Sequence, residues 1–239
     1  MSAAPANSVI QSLAERYRRR EDGFPAEPDG VVRAMPVVLR LERPPAARTP
    51  VLEAAAAAAL AVCLDPRVEP GGEWHDAVEL WVTHRIRKIA RRARGVQWDA
   101  VQELPGVTWE VDGAQARALL PGPVDEVPKT VSKLQIGGTD LERDDPGPPP
   151  AGVPVIWVNA GLGMSVGKAA AQVGHASMLY AAAHDLATVP AFAVRDADER
   201  RWAAMCAQLP DGAIAVRDAG FTEVAPGSIT CIAVRPETG

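Results

Sequence analysis

The chain has 239 residues, 47% of them hydrophobic, with a formal net charge of −5 and a pI near 5.5. This length can bury one large domain or two small ones, and we expect two. The overall acidity argues against binding of nucleic acid through a general positive charge, so any RNA contact must come from local basic clusters. No apolar run is long enough to span a membrane and the N-terminus lacks a signal-peptide pattern, so we expect a cytoplasmic protein without a membrane partner.

The cysteines support the same compartment. Cys63, Cys206 and Cys231 are odd in number, far apart and placed in apolar segments. We expect them to be reduced core residues of a cytosolic protein. The histidines show no metal-ligand spacing, so no metal site is predicted.

Residues 1–33 mix Ala, Pro, Gly, Arg and Glu, and we expect a flexible N-terminal tail with one short helix over residues 8–20. From residue 34 the pattern becomes that of a folded domain, which we place at 34–142. It predicts a strand at 36–41, an Ala-rich helix at 51–64, a strand at 77–83, a basic helix at 85–94 and two apolar runs before Pro121.

A Pro-rich segment, with its centre at 143–152, then predicts an extended linker. The second domain, 153–239, repeats the order of the first. Strands are predicted at 153–159, 191–195, 213–217 and 229–234, and helices at about 168–183 and 198–209. The predicted fold class is therefore α/β, with two related halves that form an internal pseudo-dimer. Each half is a small mixed β-sheet flanked by helices, of the three-layer α/β/α type.

The most informative stretch of the chain is residues 153–183, which pass from an apolar strand through a Gly-rich loop into a helix. A phosphate-binding P-loop would need GxxxxGK followed by Ser or Thr, but Leu162 and Ala169 occupy the two deciding positions. The dinucleotide pattern GxGxxG also fails, because the third glycine comes one residue too late. Ser165 or Gly167 can cap the helix. Lys168, Gln172 and His175 follow at i, i+4 and i+7, on one polar face.

Two motifs in this half carry a family resemblance. The run GLGMSVGKAAAQVGHAS at 161–177 resembles the signature of the type 2 peptidyl-tRNA hydrolases, roughly D-L-x-M-x-x-G-K-x-A-A-Q-x-x-H-A. The run VRDAGFTEVAPGSIT at 216–230 resembles the second motif of that family, D-A-G-[RK]-T-x-I-x-P-G-[ST]-x-T. The sequence departs from the pattern at Gly161, where Asp is usual, at Val166, where Lys is common, and at Phe221, where a basic residue is expected.

The resemblance implies hydrolysis of the ester that joins a peptide to tRNA, which recycles the tRNA and needs no cofactor. It implies four catalytic residues, Lys168, Asp218, Thr222 and Thr230, with Gln172, His175 and Gly220 binding the substrate. Asp218 would orient Lys168 or polarise the attacking water, and Lys168 would offer a cation to the oxyanion or to a phosphate. Purely structural roles for Asp218 and His175 are the alternatives. An Asp before Gly is commonly a turn residue, and His175 could be a core histidine.

The basic stretch at 85–94 supplies a possible contact with tRNA through Arg87, Lys88 and Arg91. The alternative is a solvated helix face with Ile86, Ile89 and Ala93 packed inward.

A gap-free match of the two halves places Lys168, Gln172 and His175 on Val51, Ala55 and Ala58. The first copy would then be a degenerate, chemically silent scaffold, and the pseudo-dimer could be a monomer in solution. Two further hypotheses remain: a non-catalytic tRNA- or protein-binding homologue, which the three departures favour, and a hydrolase of another ester or amide.

Overall fold

The structure is a computed structural model that describes residues 7–18, 27, 29–137, 140–218 and 223–236. Its helices are α1 (Ser8–Arg18), α2 (Arg48–Leu64), α3 (His75–Val82), α4 (Val96–Gln102), α5 (Lys129–Ser132), α6 (Val166–Ala183) and α7 (Glu199–Ala207). Its strands are β1 (Arg33–Arg40), β2 (Lys88–Ala93), β3 (Gly106–Val111), β4 (Ala114–Leu119), β5 (Gly122–Pro123), β6 (Val155–Asn159), β7 (Ala193–Ala197), β8 (Ile214–Arg217) and β9 (Ile229–Val234).

The strands form two separate mixed sheets with the same order and the same directions. The N-terminal sheet has the order β2-β1-β4-β3, with β5 paired to β1, and the C-terminal sheet has the order β7-β6-β9-β8. In each sheet the first pair is parallel and the next two pairs are antiparallel. The architecture confirms the predicted fold class, a mixed α/β chain whose two sheets are each flanked by helices.

The two halves meet through α2 and α6, which pack on each other and share one core cluster. Alanine and glycine dominate the contact, so the helix backbones approach closely. Ser177 Oγ on α6 donates to the carbonyl of Ala56 on α2 at 2.7 Å. A Cβ added at Gly174 would lie 3.1 Å from Ala59 Cβ. The contact is reciprocal, because α2 also packs on β7 and α6 also packs on β2.

Part of residues 1–33, predicted to be a tail, is an ordered helix. Val9, Ile10 and Leu13 of α1 are buried, and the helix packs on α6 and α3. Asn7 caps it by accepting hydrogen bonds from the N–H groups of Val9 and Ile10. The prediction of a short helix is confirmed, but these residues are not a solvated tail. Residues 1–6, 19–26 and 28 lie outside the described residues.

Two predicted elements of the N-terminal half are wrong. The predicted strand at 77–83 is α3, because its buried residues Val78, Trp81 and Val82 follow helical spacing. The predicted basic helix at 85–94 contains β2, because the open edge of β1 takes it as a parallel partner. The helix that follows this strand in the repeat is α4, as α7 follows β7. All six elements predicted for residues 153–239 are present.

The outer faces of the sheets carry the shorter helices. α4 and α5 contribute to a second core cluster around Val38, Trp98 and Val131. On the other sheet, α7 has no buried residue, and Arg201 lies over the ring of Trp157 at 4.2 Å. Cys206 on α7 is therefore exposed, which corrects its prediction as a core residue, whereas Cys63 and Cys231 are buried.

The segment predicted as a linker, 143–152, has no helix or strand but is tied to both halves. Asp144 Oδ1 accepts from the N–H and the hydroxyl of Thr49 at the start of α2. The carbonyl of Gly147 accepts from Arg195 Nε at 2.8 Å. In the described part of the chain, no helix has the length and apolar character needed to cross a membrane.

Candidate active site

The candidate site lies where the carboxyl ends of parallel strands meet. β6 and β7 are parallel, and β6 and β8 both run antiparallel to β9, so β6 and β8 end at the same edge. β6 leads through the turn Ala160–Leu162 into α6, and β8 ends one residue before Asp218. Ser165 caps α6, as the sequence predicted, because its hydroxyl accepts from the N–H of Lys168 at 3.1 Å.

Four of the predicted residues form one connected hydrogen-bond network at this edge. Lys168 Nζ and Gln172 Nε2 donate to the same oxygen of Asp218, Oδ2, at 2.5 and 2.8 Å. Thr230 Oγ1 contacts Gln172 Oε1 at 2.6 Å. The first motif contributes Lys168 and Gln172 from α6, and the second contributes Asp218 and Thr230 from the strands. The two motifs are therefore parts of one site.

The network fixes the orientation of the Gln172 amide. A carboxylate can only accept, so the NH₂ group of Gln172 must face Asp218 and its Oε1 must face Thr230. Thr230 then donates its hydroxyl hydrogen to Oε1, while the carbonyl of Val216 lies at a longer 3.3 Å. Thr230 is 0% exposed and Gln172 is 4% exposed, so both depend on each other for their hydrogen bonds.

The ion pair is nearly excluded from solvent. The side chains of Lys168 and Asp218 are 11% and 8% exposed. In such surroundings charges interact more strongly than in water, and an uncompensated charge is costly. Lys168 also lies in the first turn of α6, where the helix dipole is positive. The site therefore combines a fixed carboxylate with a region that favours negative charge.

One residue of the site was not predicted. Glu223 accepts from the N–H and the hydroxyl of Ser165, at 2.9 and 2.7 Å, and so ties the second motif to the N-terminus of α6. Glu223 occupies an unspecified position of the second motif, so no motif residue points to it. Gly220 and Thr222, which were predicted for the site, lie outside the described residues.

The remaining predicted binding residues lie away from Asp218. His175 turns toward the other half, where its Nδ1 is 3.2 Å from Lys88 Nζ on β2. Arg87 pairs with Glu27. Arg91 is 9% exposed and donates to the backbone carbonyl of Leu134 at 3.1 Å. The polar helix face of residues 168, 172 and 175 is thus divided between two environments.

Lys88 and His175 both have lowered pKa values, so each loses its proton more readily than an exposed side chain of the same type. Burial first, and then the Lys88 charge, hold the pKa of His175 well below its usual value of 6.5. Burial lowers the pKa of Lys88 to about 7. Two neighbouring bases in a buried place cannot both be protonated without cost, so a neutral His175 accepts from Lys88. Within the ranges described, no group of three or more His, Cys, Asp and Glu has a metal-binding arrangement.

Comparison with known families agrees with the geometry. Residues 153–239 match the family Peptidyl-tRNA hydrolase PTH2. The match begins at β6 and covers every residue of the network. It does not extend to the N-terminal half. Neither curated proteins nor solved structures gave a significant match.

Proposed function

We propose that residues 153–239 hydrolyse the ester bond between peptide and tRNA in peptidyl-tRNA and so release tRNA for reuse. The observation that carries the proposal is the network from Lys168 through Asp218 and Gln172 to Thr230, which joins the two motifs at one strand edge. The PTH2 match of the same residues supports it at the level of the family.

The mechanism follows from what ester hydrolysis requires. A water molecule must be oriented for attack, and the negative charge that develops on the carbonyl oxygen must be stabilised. Asp218, which is held by two donors, orients and polarises the water. Lys168 and the positive end of α6 stabilise the oxyanion or bind the phosphate of the 3′-terminal nucleotide. Gln172 and Thr230 are positioning residues that fix the carboxylate.

Thr222 and Gly220 belong to the same proposal through the second motif. In this proposal the hydroxyl of Thr222 positions the water or the ester, and Gly220 belongs to the substrate-binding residues. Glu223 positions the first turn of α6, because it accepts two hydrogen bonds from Ser165, the N-cap of that helix.

We also propose that the N-terminal half is a degenerate copy that serves as a scaffold. The equal strand order and the reciprocal contacts of α2 with β7 and of α6 with β2 support a pseudo-twofold arrangement. When the helix caps Ala47 and Ser165 are superimposed, Lys168 falls on Pro50 and Gln172 on Ala54, so the first copy lacks the network. A protein with such an internal dimer would act as a monomer in solution.

The proposal is tested by the release of free tRNA from N-acetylaminoacyl-tRNA in the presence of EDTA. The natural protein should turn over, and Asp218→Asn or Lys168→Ala should lose about a hundredfold or more in rate, the scale of a lost acid, base or oxyanion donor. Asp211→Asn is the matched control, because Asp211 is an exposed turn residue at the opposite end of β8. Absence of turnover in the natural protein with intact tRNA binding would instead identify a non-catalytic tRNA-binding protein.

A further inference from the structure

A second polar feature lies at the corresponding edge of the N-terminal sheet. A cleft of about 380 Å³ opens where β1 and β2 end, with Leu41 and Ala93 among its walls. Four basic side chains line it, Arg43, Arg92, Arg94 and Lys133, against two acidic ones, Glu42 and Asp140. The cleft is therefore locally basic in a chain whose formal net charge is −5.

Within the described ranges, three of the four basic side chains of the cleft have no carboxylate at ion-pair distance. Elsewhere in the N-terminal half, exposed arginines such as Arg67 form ion pairs. Among the described residues, Arg43, Arg94 and Lys133 form none, and all three are exposed. Glu42 is already engaged by Arg40 Nε at 2.9 Å. The cleft is thus able to take an anion without first breaking ion pairs at these three residues.

The cleft lies beside the N-terminus of α6. Gln135 lines the cleft, and the carbonyl of the next residue, Ile136, would be 3.7 Å from a Cβ on Gly167. Leu141 lines the other wall, and two residues later Arg143 donates to the carbonyl of Ala160 at 2.8 Å. The two contacts place the cleft next to the turn before α6 and the first turn of α6, which contains Lys168.

The alignment of the two sheets pairs Arg92 of the N-terminal half with a residue of the C-terminal half that contacts a helix start. The parallel ladders end with the pairs Arg40 and Ala93 in one half and Asn159 and Ala197 in the other, so Arg92 corresponds to Asp196. Asp196 bonds to Arg48, the first residue of α2, at 2.8 Å. On the same strand, two residues before Arg92, Ala90 Cβ would be 3.5 Å from a Cβ on Gly167 in the first turn of α6. The first residue of that helix, Val166, is buried and apolar.

We propose that this cleft binds a backbone phosphate of the tRNA whose ester is held at Lys168 and Asp218. The proposal rests on the proposed function for the identity of the nucleic acid. The cleft would carry the part of the tRNA beyond the ester, so the N-terminal half contributes affinity without contributing chemistry. Arginine and lysine suit phosphate oxygens, and their exposed position suits a substrate that arrives from solution.

The test uses deacylated tRNA, so that it does not depend on hydrolysis. The variant Arg43→Gln, Arg94→Gln, Lys133→Gln is compared with the natural protein, with Arg94→Gln alone and with the control Arg200→Gln, an exposed basic residue on α7. The triple variant should bind tRNA about tenfold or more weakly near 0.1 M salt. The slope of log Kd against log salt should fall by about one, as expected for the loss of one phosphate contact. For N-acetylaminoacyl-tRNA, KM should rise while kcat is unchanged.

The outcomes separate this proposal from the hydrolase proposal. If the natural protein does not hydrolyse the ester but the triple variant still loses tRNA affinity and salt slope, the cleft proposal holds and the hydrolase proposal fails. If hydrolysis occurs and the triple variant keeps the natural Kd, slope and KM, the cleft proposal is wrong. Inorganic phosphate provides the last arm. Suppose that phosphate binds to the natural protein and not to the triple variant, while the two proteins bind tRNA equally. The cleft would then be assigned to a small phosphate compound, and the proposal would be overturned.

Discussion

The variant Thr230→Val isolates the hydrogen bond that orients Gln172. Thr230 has no exposed surface, and valine has nearly the same shape and the same preference for a strand. The substitution removes the hydroxyl that donates to Gln172 Oε1 and leaves that oxygen in a buried place without this donor. The Gln172 amide then loses the contact that directs its NH₂ group toward Asp218.

The magnitude follows from the cost of a buried acceptor that loses its donor, about 1–3 kcal/mol. For a chain of this length the melting temperature should fall by about 2–4 °C for each kcal/mol. If the same free energy is lost from the transition state, kcat should fall by about 5-fold to 150-fold, since 1.36 kcal/mol corresponds to a factor of ten. KM should change little, because Thr230 contacts no substrate atom in the proposed mechanism.

The assay is tRNA release under saturating substrate, paired with thermal unfolding. Thr108→Val is the matched control, because Thr108 Oγ1 donates to Gln102 Oε1 at 2.7 Å in the N-terminal half. It removes a hydrogen bond of the same type, together with the acceptor of Arg117 Nη1 at 2.8 Å, so it should lower stability and leave kcat unchanged. An unchanged kcat in Thr230→Val, with a loss of stability like that of the control, would refute the positioning role of Gln172 and Thr230.

Three further predictions concern the ion pair, the helix contact and the buried lysine. Lys168→Met removes the ammonium from a buried carboxylate and should cost about 3–5 kcal/mol, measured by chemical denaturation; an effect below about 1 kcal/mol would mean that water replaces the ammonium. Gly174→Ala should be less stable than Gly167→Ala by about 1 kcal/mol or more, because its Cβ would lie 3.1 Å from Ala59 Cβ while the nearest atom at Gly167 is 3.5 Å away; equal melting temperatures would show that α2 and α6 can separate. Burial lowers the pKa of Lys88 to about 7, below its value in the unfolded chain. The unfolded state therefore binds more protons, and the free energy of unfolding should rise with pH from about 7 to about 10. Lys88→Met should lose this part of the pH dependence, and identical pH profiles of the two proteins would contradict the burial of a titrating Lys88.

The C-terminal half could be predicted well because its local signals and its tertiary structure agree. An apolar β-branched run gives β6, a serine before an alanine run gives the cap and α6, and both motifs supply the polar residues. The pairing of Lys168 with Asp218 followed from their shared motif set, but the hydrogen bond from Thr230 to Gln172 did not. It depends on the register of β9 beside β8, which spacing alone does not give.

The N-terminal half was harder to predict because tertiary contacts decide its conformation. Residues 85–94 have helical spacing of Ile86, Ile89 and Ala93, yet β2 forms there because β1 needs a parallel neighbour. The charged residues of this strand find partners that are distant in sequence, such as His175 for Lys88 and the carbonyl of Leu134 for Arg91. No local pattern reveals such partners. The basic cleft likewise combines residues from β2, the β1 end and the segment near Lys133.

The most direct test of the central claim is single-turnover release of tRNA from N-acetylaminoacyl-tRNA, with enzyme in excess, by the natural protein and by Asp218→Asn. Excess enzyme removes product release and weak binding from the measured rate. We expect complete release by the natural protein and a rate about a hundredfold or more lower for the variant. Equal rates for the two proteins would contradict it, because the carboxylate at the centre of the network would then have no part in the reaction.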